Sequence, residues 1–335
     1  MKNSNIEYTS LHDHLGAMVS ATTLFDIAHE HGTKLPVTDY HNFVDTMNIS
    51  KEINHTKYLQ KFPMVQKIQS SPAAIERCVY EAISLNYRKS NVTTMEIRFN
   101  PFLRNNTKYY DADHIILHAC MGMKKAMLVY PVKVGLIIET DRTFTGDLSL
   151  ELAKKAIKFK NEGIVGFDMS GFTPPDFDIM EHKLAFDIAR DGGLGITIHA
   201  GEVDDIHTFM KIISQIKPDR IGHGIVAAKY PDVMELLADN NTVLEICPTS
   251  NIKTKLVTKS QILEILTVFL DNNVKFTLNS DGPVFLQTNT KLEYDYMLDL
   301  KPVFGDDIIT KLAADANKYS FIHNFRSKWG EITTN

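Results

Sequence analysis

The chain has little cysteine: three residues, Cys78, Cys120 and Cys247, odd in number and far apart. That pattern fits neither a disulfide framework nor a Cys-based zinc site. It has no block of Lys or Arg, and its formal net charge is −5. Nucleic-acid binding through a basic face therefore has no support. No apolar run approaches membrane-spanning length, and the opening "MKNSNIEYTS" is polar and lacks the apolar core of a leader peptide. Low-complexity tracts, Ser/Gly linkers and short-period repeats are also missing. With 44% hydrophobic and 23% charged residues in 335, the composition is that of an ordinary globular chain. Together these features predict a cytoplasmic protein that takes a small-molecule substrate and uses neither nucleic acid nor membrane.

What recurs along the chain is a short β-branched run followed by a longer helical pattern. The strand candidates fall at 6–12, 92–99, 132–139, 163–170, 195–200, 220–224, 242–247 and 274–280. Between them lie segments such as "SLELAKKAIKFKNEG", with apolar residues at i and i+3 or i+4 and a terminal glycine. Near-continuous apolar strands suit a parallel sheet buried on both faces. Eight alternating units predict an α/β fold, a (β/α)8 TIM barrel, with a doubly wound sheet as the alternative that counting leaves open. The chain reads as a single domain over 1–335. A helical insertion between strands one and two, about 15–90, is placed to cover the barrel mouth.

Barrel enzymes build their active sites at the C-terminal ends of the strands. Those ends carry His12 and His14 after strand one, His199 and Glu202 after strand five, His223 after six and Asp281 after eight. Residues i and i+2 of a strand point the same way, so His12 and His14 can grip one ion. With His199 and Asp281 they form a three-nitrogen, one-oxygen set suited to Zn²⁺, one per chain, with room left for water.

A lone H-x-H means little, because thirteen histidines generate one by chance about half the time. A second pair, His29 and His31, lies in a helical pattern where i and i+2 do not share a face, and reads as a solvated helix end. The bland reading of His12 and His14 is a pair of satisfied polar residues closing a strand. The coincidence of four strand ends argues against it. Zinc lowers the pKa of bound water to about 7. Asp281 could ligate the ion and accept a proton from that water. His223 could orient the nucleophile, and Glu202 could donate a proton to a ring nitrogen as a general acid.

These residues resemble the adenosine deaminase family of the amidohydrolase superfamily. The likeness runs through "LHDHL", "FDIAHEHGTKLP", "YLQKF", "MEIRFNP", "VGFDMSG", "HAGE", "IGHG", "LEICPTSN" and "NSDGPVF", in the family's order. It implies a (β/α)8 barrel with one catalytic zinc held by His12, His14, His199 and Asp281. It implies a hydrolytic deaminase of an adenosine-like purine, nucleoside or derivative, that replaces the 6-amino group by oxygen and releases ammonia. By the same likeness Glu202 would protonate the purine N1, His223 would assist the nucleophile, and the Gly171 amide would meet N3. The helices before Phe62 would form the lid, with Phe62 lining the substrate pocket.

Two positions depart from the family pattern. Two consecutive aspartates are usual where this chain has Asp281 and Gly282, the second one reading the purine N7. An acidic residue that contacts the ribose is common where Gly16 stands. The resemblance therefore implies intact hydrolytic machinery without two substrate-reading acids. Slow turnover of adenosine and better turnover of another amino-purine or amino-heterocycle are expected. Lactone or phosphoester hydrolysis on two metals would call for a Lys or Glu at strand four, where "GFDMSG" has neither. A non-catalytic purine-binding homologue would have lost a ligand or the general acid, and none is lost.

Overall fold

The structure, a computed structural model, describes residues 6–105, 111–203 and 205–326. Eight parallel strands run in sequence order: β1 Tyr8–His14, β2 Val92–Phe99, β3 Lys133–Asp141, β4 Ile164–Ser170, β5 Gly195–Ala200, β6 Arg220–His223, β7 Val243–Ile246 and β8 Phe276–Leu278. Nearly every strand residue is buried, as the β-branched and aliphatic composition requires once helices cover the outside. The sheet closes just beyond β8. The Asp281 amide donates to the His12 carbonyl at 3.0 Å, and the His14 amide donates to the Asp281 carbonyl at 2.9 Å. The fold is thus a (β/α)8 barrel, and its closing hydrogen bonds are made by three of the residues singled out as metal ligands.

Five helices separate β1 from β2: α1 Ala21–Glu30, α2 Tyr40–Met47, α3 His55–Leu59, α4 Phe62–Ile68 and α5 Pro72–Ser90. Helix α5 packs against β2 and the helix Ala112–Val129 in the outer ring. Its start is set by Ser71, whose hydroxyl accepts from the Ala74 amide, with Pro72 in the first turn. Its end is set by Asn91 in the left-handed region at φ 52°. Helices α3 and α4 instead lie over the C-terminal end of the barrel. The Ile49 amide donates to the Phe285 carbonyl, and the Ile53 amide to the Lys253 carbonyl. The Lys253 ammonium donates to the carbonyls of Ile49 and Leu286. At the opposite end, Phe321 packs on Gly166 and Gly195, where any Cβ would strike its ring.

Among the described residues no helix is long and apolar enough to cross a membrane. His29 and His31 are exposed at the end of α1, where His29 Nδ1 meets the Phe25 carbonyl at 2.8 Å.

Candidate active site

Three imidazoles converge at the barrel mouth, each held from behind by a carboxylate. His12 Nδ1 lies 2.7 Å from Glu245 Oε2, His14 Nδ1 lies 3.0 Å from Glu139 Oε2, and His199 Nδ1 lies 3.2 Å from Asp168 Oδ2. A carboxylate bonded to Nδ1 fixes the tautomer and turns the Nε2 lone pair forward. Glu245 and Asp168 make that bond, while Glu139 stands beside His14 as a close charge. The three forward nitrogens lie within 4.8 Å of one another, and His14 Nε2 and His199 Nε2 are only 3.0 Å apart. Asp281 Oδ1 stands 3.6 Å from His14 Nε2. His12 Nε2 is buried and has no hydrogen-bond partner among the described residues. Burial, with Arg98 adding to it, holds the His12 pKa well below the ordinary histidine value, so this nitrogen is an unprotonated donor at neutral pH.

Three imidazole nitrogens crowded together with one carboxylate oxygen are chemically suited to a divalent cation, zinc above all. A second grouping, His12, His223 and Cys247, is poorer. Burial raises the Cys247 thiol well above its ordinary pKa, so without a metal the group is a neutral thiol.

The carboxylates behind the imidazoles are themselves tied together. Arg98 Nη1 donates to Asp168 at 2.8 Å, and Nη2 donates to Glu245 at 2.8 Å. Arg220 donates to the other Glu245 oxygen at 2.6 Å and to Glu96 at 2.5 Å. All five groups are buried, and each charge meets at least one opposite charge. Burial alone would raise the Glu245 pKa, but Arg98 and Arg220 overcome it and hold the carboxyl at about 2.

His223, the last residue of β6, and Asp281, in the loop after β8, both adopt left-handed backbone, at φ 62° and 58°. Such a conformation costs a non-glycine residue about 1–3 kcal/mol and recurs at functional sites. His223 Nε2 lies 3.5 Å from Glu202 Oε2, and its Nδ1 lies 3.1 Å from the Asn251 amide nitrogen. Glu202 Oε1 accepts from Asn251 at 3.2 Å, while Oε2 also faces His55 Nε2 of α3 at 3.4 Å. Burial raises the Glu202 pKa, but the charge of a protonated His223 and the His55 hydrogen bond outweigh it and hold the carboxyl near 2. Burial in turn lowers the His223 pKa, with the charges of Glu202 and Asp281 opposing it.

A cavity of about 300 Å³ opens in front of these groups, the small end of the range for small-molecule sites. Tyr58, Leu59, Phe62 and Pro63 form its apolar side, with Phe62 edge-on to His14 at 5.8 Å between ring centres. Glu139, Asp141, Ser170, Gly171 and Glu202 supply polar groups. Gly171 has φ 99°, and a Cβ there would meet the Asp141 carboxylate at 2.4 Å, so both backbone and packing demand glycine. Gly282 does not line the cavity; a Cβ there would lie 2.6 Å from the Tyr58 hydroxyl oxygen, which does.

Thus His12, His14, His199, Glu202, His223 and Asp281 come together as the sequence suggests. Glu139, Asp168, Glu245, Arg98, His55, Tyr58, Ser250 and Asn251 join them unannounced. A usable signal was charge inside otherwise apolar strands, in "MEIRF" and "VLEIC", since a buried charge must be paired.

The adenosine deaminase family model matches residues 8–329. An adenosine deaminase from Clostridium kluyveri is 31% identical over 305 residues, 90% of this chain and 86% of that protein. Among solved structures, an adenine deaminase from Arthrobacter aurescens superposes with a TM-score of 0.83 at 17% identity, covering 97% of this chain and 99% of the other. An Arabidopsis N6-mAMP deaminase gives 0.83 at 23% identity, covering 96% and 97%. The last two likenesses speak to the fold. The chain belongs to the adenosine deaminase family and is a hydrolase acting on C–N bonds.

Proposed function

We propose that this member of the adenosine deaminase family is a zinc-dependent deaminase of an adenosine-like purine. It would exchange the 6-amino group for oxygen and release ammonia. One observation carries the reading: three carboxylate-held imidazoles and Asp281 converge at the floor of a cavity whose wall holds the buried carboxyl of Glu202. His12, His14, His199 and Asp281 would hold one zinc ion. When bound, the ion would supply a water activated as a nucleophile at neutral pH.

The remaining work falls to the chain's own side chains. Glu202 would hand a proton to the ring nitrogen next to the attacked carbon, so that the ring takes up electron density without carrying charge. Asn251 holds one oxygen of Glu202, and the other, which faces His223 and His55 without substrate, would make that transfer. Glu202 must be protonated to act, and the proton would be taken up as substrate binds, since without substrate His223 and His55 favour the ionised carboxyl. Asp281 would accept a proton at a carboxylate oxygen, and His223 would steady the charge at the reacting centre. Phe62, Leu59 and Pro63 would exclude bulk water, with Phe62 against the base and the Gly171 amide at its edge. Helices α2 to α4 would serve as the lid.

The relatives named above carry adenosine, adenine and N6-mAMP deaminase names on one fold, so the exact substrate rests on the walls rather than the floor. Those walls lack acids at Gly16 and Gly282. This favours a second reading within the same chemistry, an amino-purine or amino-heterocycle read differently at N7 and at the sugar.

Metal analysis of the purified chain, followed by turnover of a panel of amino-purines, tests the proposal. About one zinc per chain is expected, with activity lost on chelation and restored by added zinc. His14→Ala or Asp281→Ala should lose most of the metal. A protein that carries no transition metal and is unchanged by added zinc contradicts the site assignment.

A further inference from the structure

We propose that Tyr58 is a positioning residue for Asp281, and that its hydroxyl occupies the space a side chain at position 282 would fill. The inference rests on reading Asp281 as a metal ligand. The Tyr58 hydroxyl donates to Asp281 Oδ1 at 3.2 Å, across 223 residues of sequence. Ser250 donates to Oδ2 at 2.5 Å. Each oxygen of the carboxylate therefore has its own donor, and its plane is set from two sides. A partner of this kind fixes the direction of a ligand's lone pairs and adjusts its basicity. Tyr58 is 3% exposed, lies edge-on to Phe62 at 5.4 Å between ring centres, and lines the cavity.

The second observation concerns the glycine beside the ligand. A Cβ built on Gly282 would lie 2.6 Å from the Tyr58 hydroxyl oxygen and 2.8 Å from the Ala17 Cβ. Gly282 is not among the residues with left-handed backbone, so its conformation would admit any residue. Glycine is required there by what stands next to it. Tyr58 and Gly282 thus form one unit, in which a side chain at 282 and a hydroxyl at 58 are mutually exclusive. A tyrosine that was merely buried would need a partner for its hydroxyl, but it would not need position 282 to be empty. The substrate consequently meets a neutral hydroxyl, carried on α3, at this wall. It does not meet a carboxylate carried on the loop after β8.

A double-mutant cycle of Tyr58→Phe and Gly282→Ala tests this in the full-length protein. The readouts are the Zn²⁺ dissociation constant by chelator competition, the thermal midpoint of the metal-free protein, and kcat and KM on whichever amino-purine is turned over. Tyr58→Phe should weaken Zn²⁺ binding roughly ten-fold. The metal-free midpoint should hold, and any loss of activity should fall on kcat more than KM. Gly282→Ala should weaken Zn²⁺ binding likewise by displacing the hydroxyl, with a lower metal-free midpoint from the Ala17 overlap. Added to Tyr58→Phe it should change Zn²⁺ affinity by less than about two-fold, since the hydroxyl is already gone and the Ala17 overlap is common to both backgrounds.

Effects that multiply, or a Tyr58→Phe protein with wild-type Zn²⁺ affinity and kcat, would overturn the inference. If Gly282→Ala does not fold, Tyr58→Phe alone decides it. A wild-type protein that binds no zinc would sink the metal reading itself. Coupling in Zn²⁺ affinity without turnover of any amino-purine would leave this inference standing and remove the deaminase one.

Discussion

His12 and Glu245 meet at 2.7 Å with no solvent exposure on either side. Arg98 bonds that same carboxylate and also Asp168, the partner of His199, so one guanidinium stands behind two of the three imidazoles. Removing it would leave two buried carboxylates short of a counter-charge. Arg98→Met is therefore expected to destabilise the fold by about 3–5 kcal/mol. Any zinc affinity that survives should drop roughly 10- to 100-fold. Urea unfolding and chelator competition measure the two effects, and a stable variant with full zinc affinity would contradict this account of the network.

The general-acid role gives a cleaner test, because Glu202 lies outside the four-residue donor set. Glu202→Gln should retain fold and zinc while turnover falls by roughly 10²-fold or more. A near-normal kcat in that variant would move the proton donor elsewhere.

The proposed substrate reading turns on the glycines at 16 and 282. Each absent carboxylate forgoes a charge-assisted hydrogen bond worth about 1.5–3 kcal/mol in a dry site. Adenosine should accordingly be turned over slowly, and steady-state kinetics giving kcat/KM near 10⁶ M⁻¹s⁻¹ or above, well inside the efficient range, would contradict this. Gly282→Asp alone should not rescue adenosine, because its Cβ would overlap Tyr58. The same change in a Tyr58→Phe background should do better.

Glu293, a neighbour of Asp281, predicts a pH effect on stability. It is fully buried, and burial raises its pKa to about 7, with Asp281 adding to the rise and hydrogen bonds from Thr288 and Thr249 opposing it. Lys253 and Tyr296 also face it. Its carboxyl is harder to ionise folded than unfolded, so the folded state loses stability as pH climbs from about 4.5 to about 7, by up to about 1.4 kcal/mol per pH unit. Above pH 7 the loss levels off. Glu293→Gln should flatten this slope in denaturant titrations at pH 5 and pH 8, and an unchanged slope would assign the effect to other groups.

The sequence announced the barrel because each strand is an apolar β-branched run followed by an amphipathic helix. It announced His12, His14, His199, Glu202, His223 and Asp281 because they all end strands or begin the loops after them. The closure of the barrel was not legible, since it is made by backbone bonds between residues 12–14 and Asp281. The layer behind the three imidazoles was only half legible. Glu96, Arg98, Asp168, Arg220 and Glu245 interrupt buried strands, which marks them as paired but not with whom. Tyr58 opens "YLQKF" and His55 stands just before it, but nothing local gave either residue a role. Their roles come from how α3 packs over the barrel mouth, a contact between segments more than a hundred residues apart.

The central claim is that water, not another nucleophile, displaces the 6-amino group of a purine at this site. Turnover of a 6-amino-purine panel in ¹⁸O-labelled water, with product mass and ammonia measured together, tests it most directly. The account predicts one labelled oxygen in the product and one ammonia per turnover for at least one panel member, with both signals lost in Glu202→Gln. A zinc-loaded, folded protein that releases ammonia from none of them would contradict it.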